Sequence, residues 1–102
     1  METASIADSY DTELRRVVDR LRSMPISRLE TAESIVTQLA KHLLDSSRAL
    51  GSPAPATLPE LSPWAYGDMI MVLGTDLREL AGQPEALADG LAALTAARQQ
   101  LP

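Results

Sequence analysis

The 102-residue chain has no cysteine and no phenylalanine, one tryptophan, two tyrosines, one histidine and, among nine basic residues, a single lysine. Each scarcity excludes something. Without cysteine there is no disulfide framework, no thiol nucleophile and no thiolate metal site, which suits a reducing compartment. A lone histidine lacks the partners that a general base or a metal ligand needs. Long hydrophobic runs are missing as well. The longest is Met69 to Leu73, far short of the ~20 residues that span a bilayer. The opening stretch METASIADSYDTEL has neither the basic region nor the apolar core of a secretory signal. A cytoplasmic protein with no membrane association is expected.

What is abundant is leucine and alanine, which lose little freedom in a helix, and the length is that of one domain spanning 1–102. The composition therefore predicts an all-α fold. A net charge of −5 argues against nucleic acid and anionic membranes as partners. The charge is uneven: residues 8–28 hold five arginines against four acids, whereas residues 30–102 hold nine acids against four bases. Arginine in place of lysine, together with the alanine content, points to a GC-rich bacterial genome.

Four helices are predicted, over about 5–23, 27–50, 63–81 and 84–98. In the first, Ile6, Tyr10, Leu14, Val17, Leu21 and Met24 share one face. The second starts at a Ser27–Glu30 capping box and carries Leu29, Ala32, Val36, Leu39, Ala40, Leu43 and Leu50 as its stripe, with Gly51 as its stop. Only Met24 to Ile26 separate these two helices, so they are expected to pair antiparallel. Residues 51–62 hold Pro53, Pro55 and Pro59 and form an extended linker. The third helix is expected to open on a Ser62 cap with Pro63 at its first position. The fourth, rich in alanine and interrupted by Gly90, is the weakest and is expected to fray beyond Arg98. The whole reads as a four-helix bundle of two helical hairpins joined by the proline-rich linker.

Chemistry is hard to place on this scaffold. His42 has only Gln38 and Asp45 as helical neighbours, a pattern common on surfaces. Asp68 and Asp76 lie about 80° apart and two turns distant, too far to share a metal, and Arg78 is placed to pair with Asp68 or Glu79. Arg16, Arg20 and Arg22 could meet phosphates, but Asp11, Glu13 and Asp19 interleave with the arginines and are expected to pair along the helix as Asp11–Arg15, Glu13–Arg16 and Asp19–Arg22. The helix over 84–97 carries Glu85 and Asp89 and no base, so it would be repelled from DNA. Asp45-Ser46 is the dipeptide of acyl carrier proteins, yet Ser46 falls near the end of a helix rather than at its start. Nucleophile, phosphate loop and metal cluster are all lacking, so no enzyme, no cofactor and no metal are expected.

The feature that needs an explanation lies in the third helix. Tyr66, Met69, Ile70, Leu73, Leu77 and Leu80 form a core stripe, but Trp64, Gly67, Met71 and Gly74 form a second apolar stripe roughly opposite. The leading expectation is a partner-binding face at Trp64, Gly67, Met71 and Gly74, in a homodimer or an adaptor. The two glycines would let another backbone approach, and Trp64 and Met71 would anchor it. The competing structural explanation is intramolecular, with the third helix contacted on both sides inside its own bundle. Two other functions remain open: a small-ligand sensor with a pocket lined by Trp64, Met69 and Met71, and, more weakly, a nucleic-acid accessory factor using the first-helix arginines.

Overall fold

Local chemistry sets where each helix starts and stops in the computed structural model, which describes residues 5–102. Helix α1 (Ile6–Ser23) is capped by Ser5, whose Oγ accepts the Asp8 amide at 3.0 Å. Helix α2 (Ile26–Thr31) begins earlier than predicted and without the capping box. Pro25, with its fixed φ and extended ψ, takes the cap position, and its carbonyl accepts the amides of Arg28 and Leu29 at 3.0 and 3.1 Å. Ser27 is thereby inside the helix, where its carbonyl accepts the Thr31 hydroxyl at 3.1 Å.

The single helix expected over 27–50 is divided at Ala32, whose amide is shared between the carbonyls of Arg28 and Leu29 at 3.0 and 3.1 Å. Helix α3 (Glu33–Ala49) resumes immediately, with the Val36 amide donating to the Ala32 carbonyl. Its end is a Schellman turn. Gly51 takes φ +100°, Ser52 N–H donates to the Ser47 carbonyl at 3.1 Å and Gly51 N–H to the Arg48 carbonyl at 3.0 Å.

Residues 51–62 contain neither helix nor strand, and Arg48 Nε ties them back by donating to the Ala54 carbonyl at 3.1 Å. A 3₁₀ turn at Pro63–Ala65 then leads into α4 (Tyr66–Leu80). Ser62 contributes its carbonyl to the Ala65 amide at 2.9 Å rather than the predicted side-chain cap. A second 3₁₀ turn, Pro84–Leu87, leads into α5 (Ala88–Gln100). The predicted fraying beyond Arg98 is not found. Helix α5 runs on to Gln100, Leu101 is buried, and the Arg20 guanidinium donates to the carbonyls of Leu101 at 3.3 Å and Pro102 at 2.9 Å.

The described residues are all helix, turn and coil, with no strand. The principal helix packing joins α1 to α4 and α5, and α3 to the same two helices. The antiparallel α1–α3 pairing expected from their short connection is not among the principal contacts. The apolar face of α1 (Tyr10, Leu14, Val17 and Leu21, all buried) belongs instead to the core it shares with Ile70 and Leu77 of α4 and Leu94 of α5. Over its Cα atoms the chain measures 40 × 37 × 16 Å. Two helix layers with axes about 8–10 Å apart and a Cα radius of about 2.3 Å come to about 13–15 Å, so the short dimension holds two layers.

Candidate functional site

The second stripe of α4 is divided by the fold. Gly67 and Gly74 are buried against α1. A Cβ at Gly67 would lie 2.8 Å from Cγ of Arg22, and one at Gly74 would overlap the Leu14 side chain. The Tyr10 hydroxyl donates to the Gly74 carbonyl at 2.6 Å. Gly90 of α5 closes on the same ring, since a Cβ there would stand 3.1 Å from Cε2 of Tyr10 and 3.0 Å from Cδ2 of Leu77. Gly90, expected to weaken its helix, is where α5 comes up against the tyrosine. Burial pushes the Tyr10 hydroxyl well above the usual tyrosine range, the nearby Asp11 charge adds to this, and Arg78 partly offsets it.

The groove expected to admit a partner's backbone at Gly67 and Gly74 is therefore filled by the chain's own α1. Close approach is what glycine permits, but the helix that approaches is internal. Met71 is half-buried against the core, and the Thr75 hydroxyl donates to its sulfur at 3.5 Å. Trp64 alone of the four stands clear, with 71% of its surface exposed. The other two aromatics, Tyr10 and Tyr66, are buried. Trp64 sits in the turn that Pro63 opens, and α2 packs against that turn. Ile26 of α2 and Val72 of α4 are also exposed.

Among the described residues three ion pairs run across helices and one, Lys41–Asp45, runs along α3. Buried Glu13 is held by α5: Arg98 donates Nε to Oε2 at 2.7 Å and Nη2 to Oε1 at 3.0 Å, and Thr95 adds its hydroxyl at 3.3 Å. The expected Glu13–Arg16 pair is displaced by this fork. The Arg98 hydrogen bonds hold the Glu13 carboxyl below the usual carboxylate range, against the opposing effect of desolvation. Arg22 lays its stem over Gly67 and pairs with Asp68 at 2.7 Å. Arg78 reaches Asp11 at 3.0 Å, not Asp68 or Glu79. Two arginines of the proposed phosphate face, Arg20 and Arg22, are thus engaged within the chain, while Arg15 and Arg16 remain exposed. His42 is exposed, and its neighbour Asp45 pairs with Lys41 at 3.6 Å. Among the described residues, no three histidine, aspartate or glutamate side chains come together as metal ligands would.

One concavity lies beside the Trp64 turn. Between α3, the linker and the start of α4 runs a groove of about 370 Å³, with Leu58, Pro59 and Met69 among its apolar walls and Glu33 and Glu60 as its acids. Tyr66 also lines it, 7% exposed. Of the pocket predicted from Trp64, Met69 and Met71, only Met69 borders this groove. The sequence held part of the signal, because Leu58 to Leu61 stand close before Tyr66. Glu33, from a distant helix, could not be placed by any local pattern.

No family model, curated protein or solved structure compared with the chain matches it. Among the described residues, no helix is long and apolar enough to cross a membrane.

Proposed function

We propose that this chain is a non-catalytic protein-interaction module of a bacterial cytoplasm, a four-helix bundle acting as a homodimer or an adaptor through the surface around Trp64. The supporting observation is the exposure of its only tryptophan, 71%, in a chain that buries both of its tyrosines. A tryptophan presents about 150–250 Å² to a partner, so covering most of the exposed part contributes about 3 kcal/mol at roughly 25 cal/mol per Å². Tryptophan is also the residue most often found to dominate binding when placed at the centre of an interface. Neither Gly67 nor Gly74 belongs to this surface, and Met71 is at most its margin.

The readings of a small-ligand sensor and of a nucleic-acid accessory factor have less behind them. The first rests on an open groove that Trp64 and Met71 do not line, the second on Arg15 and Arg16 alone. The test is sedimentation and quenching of Trp64 by acrylamide across a concentration series, together with capture of partners from a native lysate, for wild type and Trp64→Glu. Association that shields Trp64, or specific capture, is expected and is lost in the variant while its helical circular dichroism is retained. A tryptophan equally open to quencher at every concentration, with capture indifferent to the substitution, would overturn the proposal.

A further inference from the structure

We propose that the outer flank of α4 is a docking face, and that its occupant is a basic amphipathic helix of another protein. The inference rests on the interaction reading and extends it from Trp64 along the helix. Helix α4 packs against α1 and α3 and buries Ile70 and Leu77, and on its far side Asp68, Val72, Asp76 and Glu79 are exposed. At 3.6 residues per turn these four fall within about 80° of one another around the axis. Val72 stands in the middle of them, 58% exposed, and Trp64 and Leu80 are exposed at the two ends of the helix. Three of the six exposed large apolar side chains among the described residues therefore lie along this one element. Apolar residues scattered singly over a surface need no explanation, whereas a concentration of them on a flank turned to water does.

The charge on this flank has one sign. Its acids are Asp68, Asp76 and Glu79, and the only base of the helix, Arg78, is turned to Asp11 of α1 at 3.0 Å. Asp68 meets Arg22 at 2.7 Å, while Asp76 and Glu79 form no ion pair with another described residue. That sign selects the occupant. A second copy is disfavoured, because joining two such flanks about a two-fold axis sets acids against acids. Size points the same way: one side of a 15-residue helix presents far less than the roughly 800 Å² per partner that a stable dimer buries. A helix with an apolar row and lysines or arginines beside it complements both features. Its ridge can lie along the Asp68–Val72–Asp76 row while its cations reach Asp76 and Glu79. A contact so small and so charged is weak and sensitive to salt.

The experiment follows the amide chemical shifts of the ¹⁵N-labelled full chain as the peptide acetyl-ALKKALKALKKALKALKKA-amide is added, at low and at high salt. Its leucines form one helical row with lysines on either side. The controls are the same sequence with every lysine replaced by glutamate, and a scrambled sequence of the same composition without the leucine row. Saturable shifts centred on Asp68, Val72, Asp76 and Glu79 are expected with the patterned basic peptide alone, and they should weaken as salt is raised. Binding should fall about tenfold in the Asp76→Asn/Glu79→Gln double variant and about threefold in Val72→Ser, both with otherwise unchanged amide spectra. Absence of saturable shifts, equal binding of the glutamate or the scrambled peptide, or indifference to either variant would overturn the inference. Shifts of the same amides with the concentration of the chain alone would give the flank to a second copy and overturn the occupant. Binding lost in Trp64→Ala and untouched by the double variant would overturn the flank and leave the Trp64 surface standing. Binding kept in Trp64→Ala and lost in the double variant would leave the flank standing and count against the Trp64 surface.

Discussion

Towards α1, helix α4 presents Gly67 and Gly74, and neither position has room for one more carbon without movement of Arg22 or Leu14. Towards α3 and the linker the same helix leaves a groove of about 370 Å³, and at its leading turn Trp64 stands in water. In both directions the sequence shows small and large apolar residues, so apolarity alone does not separate a sealed contact from an open one. What separates them is the pairing of size across the contact. On the sealed side a small residue of α4 meets a long side chain of α1, and Tyr10 is fitted between Gly74 and Gly90. On the open side Tyr66 and Met69 share a groove with Glu33 and with Leu58 and Pro59 of the linker, and nothing comparable fills the space between them.

Removing the piece that seals the first side is expected to have the largest effect. Tyr10→Ala takes away the ring packed between α4 and α5, and should destabilise the fold by about 3–5 kcal/mol in urea denaturation. A loss below about 1 kcal/mol would mean that the contact tolerates a void, and the contrast between the two sides would collapse. Adding volume on the same side is next. Gly74→Val should destabilise by about 2–3 kcal/mol through overpacking against Leu14, although valine favours a helix more than glycine does. A neutral or stabilising outcome would show that Leu14 yields freely.

The charged seam between α1 and α5 should matter less, and it carries a pH signature. Glu13→Gln is expected to destabilise by about 1–2 kcal/mol near neutral pH. The folded carboxyl titrates below its unfolded value, so its contribution is fully present well above about pH 4 and lost as pH falls through the depressed folded value. Acid denaturation of wild type should therefore show a carboxylate-dependent loss that the variant lacks, and superimposable pH profiles would remove Glu13 as its source. On the open side, Trp64→Ala should change stability by no more than about 0.5 kcal/mol. A large loss there would show that the tryptophan supports the fold, and that it is not held out for a partner.

Some of this was legible in the sequence. The spacing of Tyr10, Leu14, Val17 and Leu21 identifies the buried face of α1, and Gly51 the end of α3, because both are set within a turn or two of chain. The interhelical pairs were not legible. Glu13 has an arginine three residues away and takes one 85 residues away, and a spacing rule has no access to the second. The glycine face of α4 posed the same difficulty. Gly67 and Gly74 announce that something approaches closely, but only the packing of α1 says what. Of the four residues of the second stripe, the fold exposes Trp64, half-buries Met71 and sets Gly67 and Gly74 against α1, while the Tyr66 groove depends on Glu33 arriving from another helix.

The short dimension of 16 Å has a consequence for how anything could be held by this protein. With two layers of helices there is one layer of core side chains between them, and every long helix has water along one flank: Arg15 on α1, Lys41 on α3, Asp76 on α4 and Gln99 on α5 are all exposed. Among the described residues, a slab of this thickness leaves little depth in which to enclose a guest. Whatever binds must do so from a rim or a face, and it can depart without any helix giving way. Residence there would be governed by the contacts themselves, a trait that suits a partner meant to come and go.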